Sequence, residues 1–140
     1  MHENQLNIRL SQLLSALSIA LDLAQNRSYE HSKRTAYVAV RLAERMQLSQ
    51  SDKTDIYYAA LLHDIGMAGE LSKYDINEFH GSKRLKKQHA DNGFLLVGKL
   101  PLNEGIANAI LHHHDNWDGN GANNMMRGHE IPLAAHIVHV

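Results

Sequence analysis

The chain has 140 residues, the length of one ordinary domain, and its 44% hydrophobic content is enough for a real core at that size. A net charge of −1 gives no sign of a partner such as a nucleic-acid polymer. The absence of cysteine excludes disulfides, thiolate zinc sites and a cysteine nucleophile. The opening MHENQLNIRL lacks the basic segment and apolar core of a signal peptide, and no apolar run is long enough to cross a bilayer. The expected setting is therefore cytoplasmic, with no membrane partner.

Helical periodicity runs through almost the whole chain and no strand alternation appears, so the expected fold class is all-α. A first helix is expected from about Asn4 to Gln25, with Leu6, Leu10, Leu13, Leu14, Leu17 and Leu21 on one apolar stripe. The stripe reads first as a packing helix. A dimer seam or a linker from an upstream domain stays open, although no strict heptad is sustained. A second helix, about Tyr29 to Met46, groups Val38, Leu42 and Met46 with Thr35 and His31, which would turn His31 inward. A third starts near Ser49, where Asp52 three residues on completes a variant capping box, and Gly66 reads as its stop.

Residues 67–80 read as a polar loop. A basic helix from Ser82 carries His89 and continues through Leu95 to Val97. After a turn at Pro101, a helix from about Asn103 ends in His112, His113 and His114. The glycine- and asparagine-rich stretch 115–130 reads as an exposed loop, and Ile131 to Val140 opens another helix, in which the chain ends. The organisation expected is a leucine-striped helix over 1–27, serving as a packing, dimer or linker element, and one domain over 28–140.

The chemistry lies in the histidines. His31, His63 with Asp64, His89, and His113 with His114 recur at helix-like intervals. Imidazole is the commonest protein ligand for borderline metals, and five imidazoles with one carboxylate exceed what a single tetrahedral zinc needs. If they converge, they can hold two metal ions and an activated water. The run AALLHDIG is apolar up to His63-Asp64, which puts an imidazole and a carboxylate at the end of a buried helix, where both need partners. Neighbours on a helix point about 100° apart, yet at its last turn His113 and His114 can still reach one ion. A histidine-rich helix end facing the dipole is the competing reading. Asp115 and Asp118 could be caps, loop charges or partners of the imidazoles. Trp117 reads as a packing anchor. Lys83, Arg84, Lys86 and Lys87 form a solvated face that could attract an anionic substrate.

In order along the chain, these residues resemble the HD superfamily of metal-dependent phosphohydrolases, and its HD-GYP branch most. His31-Ser32 is similar to that family's HS element, and Leu61-Leu62-His63-Asp64-Ile65-Gly66 to its LLHDIG. His89-Ala90-Asp91-Asn92-Gly93 resembles H-x-x-x-G. The run from His113 to Gly121, HHDNWDGNG, resembles HHERWDGSG, and Glu130 to Ala135 the start of the last metal-bearing helix. The resemblance spans residues 28–140. It implies a bundle of about six or seven helices that hydrolyses a cyclic dinucleotide such as cyclic di-GMP. It also implies two divalent ions, iron or manganese by preference, with zinc or nickel suited to the same donors. His31, His63 and Asp64 would bind the first ion, Asp64 would bridge and serve catalysis, and His89, His113 and His114 would bind the second. A metal-activated hydroxide would attack the phosphorus.

Four positions depart from the family. Met67 stands where a lysine is usual, a thioether in place of an ammonium near the substrate phosphate. Gly121-Ala122-Asn123 replaces Gly-Tyr-Pro, and Arg27 occupies the position of an acidic ligand that serves a third metal in some members. The family's final aspartate would fall just past Val140, so the expected domain is C-terminally incomplete. Beside the cyclic-dinucleotide reading stand two others: hydrolysis of another nucleotide or phosphate ester, and a catalytically weak domain that serves as a nucleotide-binding or protein-interaction signalling module. Signalling proteins and a second copy in a homodimer are the partners to look for.

Overall fold

The computed structural model describes residues 9–27, 30–69, 76–123 and 126–139. Leu6 of the first stripe and the terminal Val140 lie outside them. The described residues form seven α-helices and two short 3-10 turns, with no strand. In chain order they are α1 (Leu10–Ala24), α2 (His31–Arg45), α3 (Gln50–Leu62), α4 (Ile76–Gly81), α5 (Lys83–Val97), α6 (Glu104–His112) and α7 (Leu133–His139). The 3-10 turns are Ile65–Met67, directly after α3, and Gly128–Glu130.

α3 is the central element, packed by α1, α2, α6 and α7. Ser49 caps it by accepting from the Asp52 N–H at 3.1 Å, as the variant capping box predicts. Its last turn buries Ala59, Ala60, Leu61 and Leu62 together, and a helix apolar all round belongs in the middle of a bundle. The buried core also takes Leu14 from α1, Val97 from α5, Ile106 and Ile110 from α6, and Ile137 and Val138 from α7.

The buried face of α2 differs from the expected stripe. Ser32, Ala36, Ala39 and Ala43 face the core, while Val38 is 55% and Met46 44% exposed. Small side chains let α2 approach α3 closely, so the helix turns its alanines inward. His31 and Thr35 fall at the edge of that face and line a cavity. On α1 the stripe also divides: Leu14 is buried and Leu10 and Leu21 partly so, but Leu13 and Leu17 are exposed.

Gly66 is not a helix stop. α3 ends at Leu62, and Gly66 sits inside the following 3-10 turn, pressed against α5. A Cβ there would stand 1.9 Å from the His89 carbonyl oxygen. The segment expected as loop over 67–80 contains all of α4 but its last residue, and Phe79 of that helix is buried with Met67 and Leu85 in a small second cluster. Phe79 is the one apolar residue in the short run Asn77–Gly81, which leaves no periodicity for a sequence reading to find.

Candidate metal centre

Two helices that are apolar to their last turn end in the same way. His63 follows α3 and His113 follows α6, and each ring donates Nδ1–H to the carbonyl three residues back. The acceptors are Ala60 at 2.7 Å and Ile110 at 2.6 Å. A carbonyl only accepts, so Nδ1 carries a proton and each Nε2 is aimed into the space between the helices. This carbonyl partner is the outer contact that fixes a metal-binding histidine's tautomer.

Asp64 stands between two groups of imidazoles. Its Oδ2 lies 3.0 Å from His63 Nε2 and 3.6 Å from His31 Nε2. Its Oδ1 lies 3.6 Å from His89 Nε2, which is itself 3.0 Å from His113 Nε2. His31, His63 and Asp64 form one group able to hold a metal ion, and His89, His113 and His114 form the other. Donors about 2.1 Å from a shared ion stand roughly 3.0–3.4 Å apart in octahedral or tetrahedral arrangements. The 3.0 Å spacings of His63 from Asp64 and of His89 from His113 meet that requirement, and the two 3.6 Å spacings to His31 and His89 lie just outside it. Asp64 Oδ2 and His114 Nε2 are buried without a hydrogen-bond partner, as expected of atoms built to meet a cation. The approach of His89 depends on glycine: only hydrogens at Gly66 and Gly93 let the turn after α3, α5 and Ile110 of α6 meet so closely.

The electrostatics agree with this geometry. Burial works against ionising Asp64, but His63, Arg27 and His89 around it outweigh burial and hold its carboxyl well below the usual range. Burial likewise opposes protonating His63, and the adjoining Asp64 carboxylate reverses that and raises its pKa. Burial followed by neighbouring imidazoles lowers His89 to about 4 and His114 to about 3, and pushes His113 well below its ordinary value. These three rings are neutral near pH 7, the form that ligates a metal.

Arg27 is the site residue that sequence reasoning missed. It was legible only as the absence of an acidic ligand. Its guanidinium reaches into the first group, with Nη1 2.8 Å from both Asp64 Oδ2 and His31 Nε2. Nη2 lies 3.8 Å from Met67 Sδ, at the position where lysine is usual. Arg27, His31, Thr35, His63, Asp64, Phe79, His80, His113, His114, Val138 and His139 line a cavity of about 240 Å³. His139 donates its Nδ1–H to the His113 carbonyl at 2.7 Å.

The remaining expected residues surround this centre. Asp115 is buried and accepts from His112 Nδ1 at 2.7 Å and from Asn123 N–H at 2.9 Å. Asn123 donates its side-chain amide to the Leu111 carbonyl at 2.7 Å, so the residue in place of the motif's proline ties the loop to α6. Asp118 accepts from the Asn120 N–H at 2.9 Å in an exposed turn. Lys87 pairs with Asp91 on the outer face of α5, and Lys86 is close enough to His114 to help lower its pKa. Trp117 is 59% exposed, packs its ring against those of His129 and His136, and with them lines a cleft of about 700 Å³ that shares His139 with the first cavity.

No helix among the described residues is long and apolar enough to cross a membrane. The chain is 30% identical, over 140 residues, to a cyclic di-GMP phosphodiesterase of Thermotoga maritima, covering 94% of this chain and 37% of that protein. It is 30% identical over 112 residues to the 3'3'-cGAMP-specific phosphodiesterase 1 of Vibrio cholerae, covering 80% of this chain and 26% of the relative. The chain thus spans well under half the length of these relatives. Its fold matches a crystal structure of a cyclic GMP-AMP-specific phosphodiesterase of Vibrio cholerae with a TM-score of 0.77 at 19% identity, over 93% of this chain and 38% of that one. The sequence profile of the HD domain matches residues 28–140. With its histidines and aspartate gathered between the ends of these helices, the chain belongs to the HD domain family of metal-dependent phosphohydrolases.

Proposed function

We propose that this chain is the hydrolytic domain of a phosphodiesterase that opens a cyclic dinucleotide, cyclic di-GMP or 3'3'-cyclic GMP-AMP. Asp64 carries the reading: one oxygen faces His31 and His63, the other faces His89, and a carboxylate so placed would serve two cations at once. His31, His63 and Asp64 hold the first divalent ion; His89, His113, His114 and Asp64 hold the second. Iron or manganese is the preferred pair, with zinc or nickel compatible with the donors. When bound, the ions supply an activated water and positive charge for the phosphoryl oxygens.

The chain's own residues do the rest. Asp64 stays ionised and keeps both half-sites in register, and the carbonyls of Ala60 and Ile110 hold the His63 and His113 rings in orientation. Lys86 adds positive charge on the His114 side, which favours an anionic substrate. The cleft beside the centre extends the binding space, and the exposed face of Trp117 gives a base a surface on which to stack.

The test is hydrolysis of each cyclic dinucleotide by the purified chain in Mn²⁺ or Fe²⁺, with metal content measured in parallel. The expected product is the linear dinucleotide. Bound ions without turnover of either compound would overturn the reading, and turnover confined to other esters in a phosphatase panel would move the substrate class.

A further inference from the structure

Arg27 occupies a place the metal reading assigns to an ion. Its Nη1 is 2.8 Å from His31 Nε2 and 2.8 Å from Asp64 Oδ2, atoms that are 3.6 Å apart. From these three distances, any point about 2.1 Å from both donors lies within about 3.2 Å of Nη1. A divalent ion there would touch a guanidinium of like charge with little water between them, so the two exclude one another.

The surroundings favour this cation over a neighbouring one. Met67 offers Nη2 a thioether sulfur, a weak acceptor without charge, where an ammonium would repel it. The backbone that carries Arg27 is anchored at the end of α1: its N–H donates to the Asp22 carbonyl at 3.0 Å. The buried Asp22 carboxylate accepts from Ser32 N–H at 3.0 Å and Ser32 Oγ at 2.7 Å, which locks α1 to the start of α2 and sets Arg27 beside His31. The side chain is bonded at its tip alone, by His31 Nε2 and the weak Met67 sulfur. Its Nε is buried without a hydrogen-bond partner, and the 2.8 Å approach to Asp64 Oδ2 is a charge contact without hydrogen-bond alignment.

We propose that Arg27 is an internal plug of the first half-site, a resident guanidinium that a divalent ion must displace before the dinuclear centre assembles. This deepens the metal-centre reading above and rests on it. In order of binding, the His89, His113 and His114 half-site fills before the other. An ion enters the His31, His63 and Asp64 half-site only as Arg27 swings out, so metal supply sets the fraction of assembled centres.

Mn²⁺ titration by calorimetry, with elemental analysis after dialysis, tests this in the wild type, Arg27→Ala, and Arg27→Ala combined with His31→Ala. The expected wild-type result is one firm ion and a second bound at least tenfold more weakly. Arg27→Ala should tighten that second ion at least tenfold, and removing His31 as well should abolish the gain. Arg27→Leu, which keeps most of the apolar stem and loses the charge, gives the same readout if Arg27→Ala melts early. Two equally tight ions in the wild type, unchanged by Arg27→Ala, would overturn the plug and leave the metal centre standing. So would unchanged affinities with a raised KM for the cyclic dinucleotide, which would assign Arg27 to the substrate phosphate. No ion in either protein would remove the metal reading and the plug together.

Discussion

Asp64 offers one oxygen to each group of imidazoles, so its chemistry cannot be shared out to a neighbour. In Asp64→Asn, an amide nitrogen replaces one oxygen and the charge is lost, which removes a ligand from one half-site and the bridge between both. Elemental analysis should find less metal per chain, and titration an affinity loss larger than the roughly 10–100-fold that removal of an outer-shell partner brings. Unchanged stoichiometry would show that the carboxylate is not a ligand. Trp117 invites a different measurement, because it is exposed and lines the neighbouring cleft. If its ring stacks a base, Trp117→Ala should raise KM about tenfold with kcat little changed, given stacking of about 1–3 kcal/mol per base. An effect on kcat alone would place the indole in loop packing. At this scale the convergence of His31, His63, Asp64, His89, His113 and His114 was legible, because the order of HS, HD, H-x-x-x-G and HH survives in the sequence. The tenancy of Arg27 was not. An arginine's reach across an interhelical gap depends on where α1 ends relative to Asp64, and no sequence spacing records that.

The helices bring these residues together through two contacts that side chains would prevent. The turn after α3 meets α5 at Gly66, and α5 meets α6 at Gly93, where a Cβ would come 2.8 Å from Ile110 Cγ2. Gly66→Ala cannot be absorbed by rotating a flexible side chain, because its nearest neighbours are the His89 carbonyl and the Gly93 nitrogen. The backbone must separate, at a cost of about 1–3 kcal/mol or more, and His89 moves away from Asp64 with α5. Chemical denaturation should show that loss together with weaker Mn²⁺ binding. Gly81→Ala is the control: a Cβ there meets nothing within 4 Å, so its stability should match the wild type or rise slightly. The same contacts explain what periodicity could and could not report. It found the long helices, because an apolar stripe repeating near 3.6 residues needs no knowledge of the partner. It misjudged the inner face of α2, since Ala36, Ala39 and Ala43 carry less hydrophobic weight than Val38 and Met46 but permit the closer approach to α3. It read Gly66 as a local terminator because the α5 backbone it accommodates is distant in sequence.

For the molecule as a whole, the centre is where α2, the end of α3, α5 and the end of α6 meet, and these elements are joined there by polar groups. The neutral imidazoles of His89, His113 and His114 give little cohesion among themselves, since burying polar rings without full partners is costly. A divalent ion that binds the folded chain supplies that cohesion. It stabilises the fold by about 2.7 kcal/mol for each site when present at about 100 times its dissociation constant. For a chain of this length that corresponds to a rise in Tm of roughly 5–15 °C on loading, reversed by a chelator. The increase should come mainly from the first ion, because the second must displace Arg27, whose guanidinium already neutralises Asp64 in part. Thermal melts across an Mn²⁺ series should therefore rise once and then only slowly in the wild type. In Arg27→Ala the Tm should start lower and climb further, the metal taking over from the lost guanidinium. Asp64→Asn should respond weakly throughout. Parallel curves for all three proteins would mean that ions reach the folded chain elsewhere, and that the convergence of these four elements does not depend on the centre they surround.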